Sequence, residues 1–242
     1  MSAADRYARQ VVLPELGITG QARLAAGRVL LVGLGGLGCP AAEYLASSGV
    51  GTLVLNDFDR VDMSNLPRQI LYSAADLGKL KVEAARERLA WLNPDVRAEC
   101  MPERLDPDAL AAAVRAADVV LDGTDNFSTR LAVNRACVAA GVPLVSGAAL
   151  RLEGHIAVFM NDAASPCYRC LYDDQDEWLG DCEGNGVLAP VPGVIGTLMA
   201  LEAIKLLAGI DSALRSALLL WDAKRGDWQR VALRAEPSCP EH

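Results

Sequence analysis

Histidine is almost missing from this chain: two in 242 residues, His155 and His242. No G-x-S-x-G occurs either, so hydrolysis built on a histidine base has few places to reside. Runs of Lys and Arg are absent, and 31 acids against 23 bases leave a net charge of −8. That argues against nucleic acid as a partner. The longest charge-free apolar stretch, 184–201, is broken by Pro190 and Pro192. It predicts a loop and a buried helix rather than a membrane span. The opening MSAADRYARQ has no apolar core of a signal peptide, so a cytoplasmic protein is expected. Seven cysteines, an odd number, are then expected to be unpaired. With 52% hydrophobic and 22% charged residues, disorder is excluded and a sizeable core can be buried.

What is present is an alternation of short apolar runs and helical periods. Strands are predicted at 28–32, 51–56, 96–101, 118–122 and 143–148, and helices at 18–26, 40–48, 79–92, 106–116 and 127–140. A strand, a Gly-rich turn, a helix and a strand in succession make a βαβ unit with parallel strands. From about 151 the pattern changes: 155–160, 217–222 and 228–233 read as antiparallel strands around a buried helix at 193–208. The expected fold is α/β, a Rossmann-like doubly wound sheet whose parallel N-terminal part continues into an antiparallel C-terminal part. A single domain over 1–242 is expected, with a nucleotide-binding part at about 28–150. In such sheets the ligand lies at the carboxyl ends of the strands. The polar connection 57–78 is too long to be idle.

The turn at 33–38 is G-x-G-x-x-G between a strand and a helix. Gly33 permits the tight turn and Gly35 lets backbone N–H groups approach a phosphate; Gly36 and Gly38 complete the candidate nucleotide-binding glycines. The helix N-terminus adds partial positive charge. No Walker-type Lys follows, so this is not a P-loop. Asp57, nineteen residues after Gly38, stands where an acid takes ribose hydroxyls. Arg9, Arg68 and Lys81 add more charge than a dinucleotide's pyrophosphate needs, and fit a reacting triphosphate. Lys81, at a helix start, opposes its own dipole unless an anion is near. Asp125 suits Mg²⁺, although Asp125 or Asn126 also suits a helix N-cap. Cys167 and Cys170 form a C-x-x-C, half a zinc site or a redox pair, and Cys239 with His242 offers the other half. Cys182, in a Gly-rich stretch, is a candidate nucleophile, although Asp181 and Glu183 would raise its pKa. Cys39, Cys100 and Cys137 fall within predicted elements and read as core residues.

In this order the motifs resemble the bacterial E1-like adenylating enzymes, the MoeB/ThiF/HesA family of molybdopterin and thiamin biosynthesis. The matching residues are Arg6-Tyr7-x-Arg9-Gln10, the 33–38 turn, Asp57-x-Asp59, Ser64-Asn65-Leu66-x-Arg68-Gln69 and Gly78-x-x-Lys81. They continue with Asp122-x-Thr124-Asp125-Asn126, Cys167-x-x-Cys170, Gly193-Val194-Ile195-Gly196 and Glu202-Ala203-Ile204-Lys205. The resemblance implies MgATP as substrate and a ubiquitin-like sulfur-carrier protein with a Gly-Gly C-terminus as partner. The carrier carboxylate attacks the α-phosphate, and pyrophosphate leaves. It implies that Asp57 holds the ribose, that Asp59, Asn65, Gln69 and Asn126 line the nucleotide, and that Arg68 and Lys81 neutralise the triphosphate. It further implies Asp125 on Mg²⁺, Arg9 reaching into the second subunit of a homodimer, and zinc on Cys167, Cys170, Cys239 and His242. His242 replaces a cysteine of the family's pattern. Residues 151–242 would receive the carrier, and a separate sulfur donor is expected. Two other readings stand beside this one. One is an NAD-dependent oxidoreductase. The other is a relative acting on a tRNA base or a peptide terminus.

Overall fold

A computed structural model describes residues 6–162, 165–172 and 186–241. Its centre is Arg28–Val32 (β1), an apolar run. β1 pairs in parallel with Thr52–Asn56 (β2) on one side and Val119–Asp122 (β4) on the other. Arg97–Met101 (β3) lies beyond β2, and Leu144–Leu150 (β5) beyond β4, both parallel. Glu153–Phe159 (β6), Ala217–Asp222 (β7) and Asp227–Ala232 (β8) then add antiparallel strands. The result is one eight-stranded sheet in the order β3-β2-β1-β4-β5-β6-β7-β8.

The described helices are Ala8–Val11 (α1), Gly17–Ala26 (α2), Gly38–Ser47 (α3), Lys81–Leu92 (α4), Pro107–Arg115 (α5), Phe127–Ala140 (α6) and Pro190–Ala208 (α7). Alternation along β1 sends Val29 and Leu31 to one core and Leu30 and Val32 to the other. The first core is closed by α2, α3, α4 and α7, the second by α5 and α6. Both faces of the parallel part are therefore covered, as its apolar strands require. Strand order reverses at β1, which runs to β2 on one side while β4 joins on the other. The crevice of a doubly wound fold opens at that point.

α7 is long and apolar enough to cross a membrane by length and composition. Here it is a core helix packed on α2, α3, β4, β5 and β6. Ile195, Met199 and Ala203 are fully buried along it, and burial of a side chain as large as Ile or Met contributes about 1.5–3 kcal/mol. The sequence places its start at 193, whereas the helix starts at Pro190. Pro190 and Pro192 occupy the first turn, where a missing N–H costs nothing. α3 likewise begins at Gly38 rather than 40. β5 and β6 extend towards each other into a hairpin pairing Leu150 with Glu153. Its turn uses Arg151 at φ 52°, with no Asn-Gly or Asp-Gly to announce it.

Candidate active site

β1, β2 and β4 end at a cavity of about 730 Å³. The glycine turn forms one wall. Gly33 has φ +89°, and a Cβ there would lie 3.1 Å from the Gly123 carbonyl carbon, so the turns after β1 and β4 touch. Gly38 does not line the cavity. A Cβ on it would stand 2.0 Å from the Gly33 oxygen, so its place is to let the turn close on itself. A Cβ on Gly35 would meet only Gln69 Nε2, at 3.8 Å. Backbone at Gly35 and Gly36 thus faces cavity space. In the first turn of α3 the Cys39 N–H is taken by the Gly35 carbonyl at 3.0 Å and Pro40 has no N–H, so the donors placed to meet an anion are those of the turn itself, at Gly35 and Gly36.

The 57–78 connection brings the next wall. Asp57 is buried; its Oδ2 accepts from Leu34 N–H at 2.7 Å and its Oδ1 from Asp59 N–H at 2.9 Å. Burial raises its pKa against the pull of Lys81 and of these two bonds. Lys81 is 5% exposed. Its Nζ lies 2.8 Å from Asp59 Oδ2 and 3.8 Å from Asp57 Oδ2. The anion expected beside a lysine at a helix start is therefore this pair of aspartates. Asn65 Oδ1 accepts from Arg68 Nη2 at 2.9 Å and from Gln69 Nε2 at 3.1 Å, aligning both along the cavity.

The third wall is the exit of β4. Asn126 takes the N-cap of α6, accepting from Thr129 N–H at 2.9 Å. Asp125 is thereby spared from capping, and its exposed carboxylate faces the cavity. A carboxylate beside a phosphate cradle is the donor set Mg²⁺ prefers. Sequence reasoning missed Arg130, which also lines the cavity. The signal was there: the buried stripe of α6 is Phe127, Arg130, Val133, Asn134 and Cys137, and a guanidinium on an apolar stripe demands an explanation. Phe58 and Arg104 were missed too. They line the cavity, with the guanidinium carbon of Arg104 4.6 Å from the Phe58 ring centroid.

Arg9 is not brought to this site. α1 is tied to the far ends of two helices. Asn93 donates to the Tyr7 hydroxyl at 2.7 Å, Gln10 to Ser48 O at 3.1 Å, and Arg6 to Leu92 O at 3.0 Å. α3 and α4 have 10 and 12 residues and start at the cavity. Arg9 is thus about 15–18 Å from its own chain's site.

Cys167, Cys170 and Cys239 converge behind α6. Their sulfurs are 3.9 Å (Cys167 to Cys170) and 3.8 Å (Cys167 to Cys239) apart. Sulfurs 2.3 Å from a tetrahedral zinc are about 3.8 Å apart, while a disulfide needs about 2.05 Å. A redox pair requires a depressed thiol pKa, and burial pushes Cys167 the other way, to about 12. The geometry fits a metal better than a redox couple. His242, the expected fourth ligand, and Cys182, the expected nucleophile, lie outside the described residues. Cys39 and Cys137 are buried and Cys100 is partly so, as expected of core residues.

Residues 7–241 match the ThiF family. The chain is 47% identical over 235 residues to the sulfur carrier protein ThiS adenylyltransferase of Escherichia coli (strain K12), covering 97% of this chain and 93% of that relative. It is 47% identical over 234 residues to the molybdopterin-synthase adenylyltransferase of the same organism, covering 97% and 94%. Against the adenylyltransferase and sulfurtransferase MOCS3 of Sus scrofa it is 49% identical over 239 residues, but spans only 52% of that longer protein. Among solved structures, Escherichia coli MccB with succinimide aligns at a TM-score of 0.85 over 97% of this chain and 73% of that one. At 24% identity that likeness concerns the fold. A match over almost the whole chain, with relatives 47% identical and covered nearly end to end, decides the kinship: this protein belongs to the ThiF family.

Proposed function

We propose that this protein adenylates the C-terminal carboxylate of a ubiquitin-like sulfur-carrier protein ending in Gly-Gly, using MgATP and releasing pyrophosphate. One observation carries the reading: a single cavity joins the glycine-turn backbone at Gly35 and Gly36 with Arg68, Lys81 and Asp125. Relatives 47% identical to this chain bear the names of carrier or synthase adenylyltransferases. A dinucleotide reading leaves Arg68, Lys81 and Asp125 without a task.

The chemistry follows from charge. A carboxylate and a triphosphate repel each other, and that repulsion is strong in a low-dielectric crevice. N–H groups at 35–36 meet phosphate oxygens, with Asp57 and Asp59 at the ribose end. Arg68, oriented by Asn65, and Lys81 neutralise the triphosphate. On this reading Lys81 exchanges Asp59 for a phosphate when ATP binds. Mg²⁺, held by Asp125 and phosphate oxygens, would lower the charge of the leaving pyrophosphate. The attacking carboxylate is already ionised, so positioning does the rest without a general base.

We assign Arg9 to the site of a second copy, since its own lies a helix length away. Val12, Leu13 and Ile18, which follow it in the chain, are large apolar side chains left exposed, suited to burial between subunits. Residues 151–242 are assigned to the carrier and 28–150 to the nucleotide, within one continuous sheet. Zinc is assigned to Cys167, Cys170 and Cys239, where it would fasten the C-terminal segment to the loop after β6. The test is ATP–pyrophosphate exchange with and without carrier: strict carrier dependence is expected. Exchange that ignores every Gly-Gly carrier, or needs a tRNA or a short peptide instead, sinks the assignment.

A further inference from the structure

Arg130 has no part in the steps above, yet it is a buried cation, 7% exposed, directly under the cavity. One guanidinium nitrogen donates to both the Thr124 carbonyl and the Gly147 carbonyl, the latter at 3.0 Å. It stitches the exit of β4 to the middle of β5. From the other side, Asp122 Oδ1 accepts from the Thr124 N–H at 3.0 Å and from its hydroxyl at 2.6 Å. Thr124 is therefore gripped at its N–H, its hydroxyl and its carbonyl, each time by a buried charged group. Such bonds are roughly twice as strong as neutral ones. The next residue is Asp125.

Arg130 is itself held from behind. The Tyr168 ring lies behind it, close enough for its hydroxyl to act on the guanidinium electrostatically. Tyr168 N–H donates to Asn134 Oδ1 at 2.8 Å, and Asn134 Nδ2 reaches Cys167 Sγ at 3.6 Å. Asn134 is fully buried and follows Arg130 by four residues, so the two share one face of α6. Asn134 thus ties the thiol loop to the same face of α6 from which Arg130 holds the peptide that precedes Asp125. Packing alone would not call for this: a buried cation is costly unless its charge is used.

We propose that Arg130, backed by Tyr168 and Asn134, is a positioning residue that aims the Asp125 carboxylate at the magnesium of MgATP, and that it joins the thiol loop to the nucleotide site. The proposal rests on the adenylation reading, because it presumes that MgATP is what binds. The test measures ATP affinity by calorimetry with and without Mg²⁺, in wild type, Asp125→Asn, Arg130→Gln and Tyr168→Phe. Wild type is expected to bind ATP more tightly with Mg²⁺. Asp125→Asn and Arg130→Gln should each lose about tenfold or more of that advantage, the range for removing support around a metal ligand, and Tyr168→Phe should lose a smaller part. Magnesium-free affinity should stay within about threefold, since the triphosphate contacts are untouched. An Arg130→Gln protein that keeps the full magnesium advantage overturns the proposal, as does equal loss in both conditions. If Arg130→Gln does not fold, Tyr168→Phe decides, because it keeps the ring and removes only the hydroxyl; an unchanged advantage there is equally fatal. Wild type that gains nothing from Mg²⁺ counts against the adenylation reading instead, so the two failures are distinguishable.

Discussion

His155 shows at the scale of one residue how this fold disposes of a rare side chain. It is partly buried on β6, and burial followed by the charge of Arg130 pushes its pKa down to about 4. In the unfolded chain a histidine titrates near 6.5. The folded value is depressed, so the unfolded state takes up a proton first as pH falls. The stability tied to a neutral His155 is whole above pH 6.5 and is lost between 6.5 and 4. Allowing for partial exposure, the loss at pH 5 is about 1–2 kcal/mol. Urea denaturation of wild type and His155→Gln at pH 7.5 and pH 5 checks this. Wild type should weaken more than the variant on acidification, and parallel curves would show the ring to be better solvated than the fold indicates.

At the scale of elements, the glycine turn divides its labour between folding and binding. Gly38 has no room for a Cβ, with the Gly33 oxygen at 2.0 Å, whereas Gly35 has only Gln69 Nε2 at 3.8 Å. Gly38→Ala is expected to destabilise the protein by about 3 kcal/mol, because rigid backbone must move. Gly35→Ala should change stability by no more than about 0.5 kcal/mol. Its methyl group points where a phosphate must approach, so ATP affinity should still fall by about tenfold or more. Thermal melts and ATP titrations of the two variants separate the roles. Matching losses of stability in both would refute the division. α7 has a comparable duty: Pro192 seals the turn at Gly36, where a Cβ would meet its ring at 3.1 Å.

For the whole molecule, two expectations concern a second copy of the chain and a bound metal. An Arg9→Ala protein keeps its own Lys81, and a Lys81→Ala protein keeps its own Arg9. If Arg9 works across subunits, each variant is inactive alone, and mixing them with subunit exchange restores activity in one site of every mixed dimer. No recovery in exchanged mixtures, with mixed dimers present by native mass, would return Arg9 to a structural role. The second expectation concerns the thiol cluster. Stripping a bound zinc frees the segment carrying Cys239 from the Cys167 loop. Tm should fall by about 5–10 °C, corresponding to a few kcal/mol in a chain of this size. Elemental analysis should find one zinc per chain before chelation, and a Tm indifferent to its removal would show that the cluster is not a staple.

Local sequence determined most of the elements of this protein. Apolar runs such as Arg28–Val32 and helical stripes such as Phe127–Ala140 are set by periodicity and caps, and a glycine turn between strand and helix announces a phosphate cradle. Residues whose chemistry is visible in isolation, Arg68, Lys81 and Asp125, were legible for that reason. Tertiary structure decided who faces whom. It placed Asp59 on Lys81, gave the cap to Asn126 and so released Asp125, and turned Arg130 inward from α6. It also carried the segment of Arg9 to the ends of α3 and α4 remote from the cavity. Apart from the Asn126 cap, a contact only three residues along the chain, none of these follows from neighbours in sequence, because each depends on backbone groups and charges that only packing brings within reach.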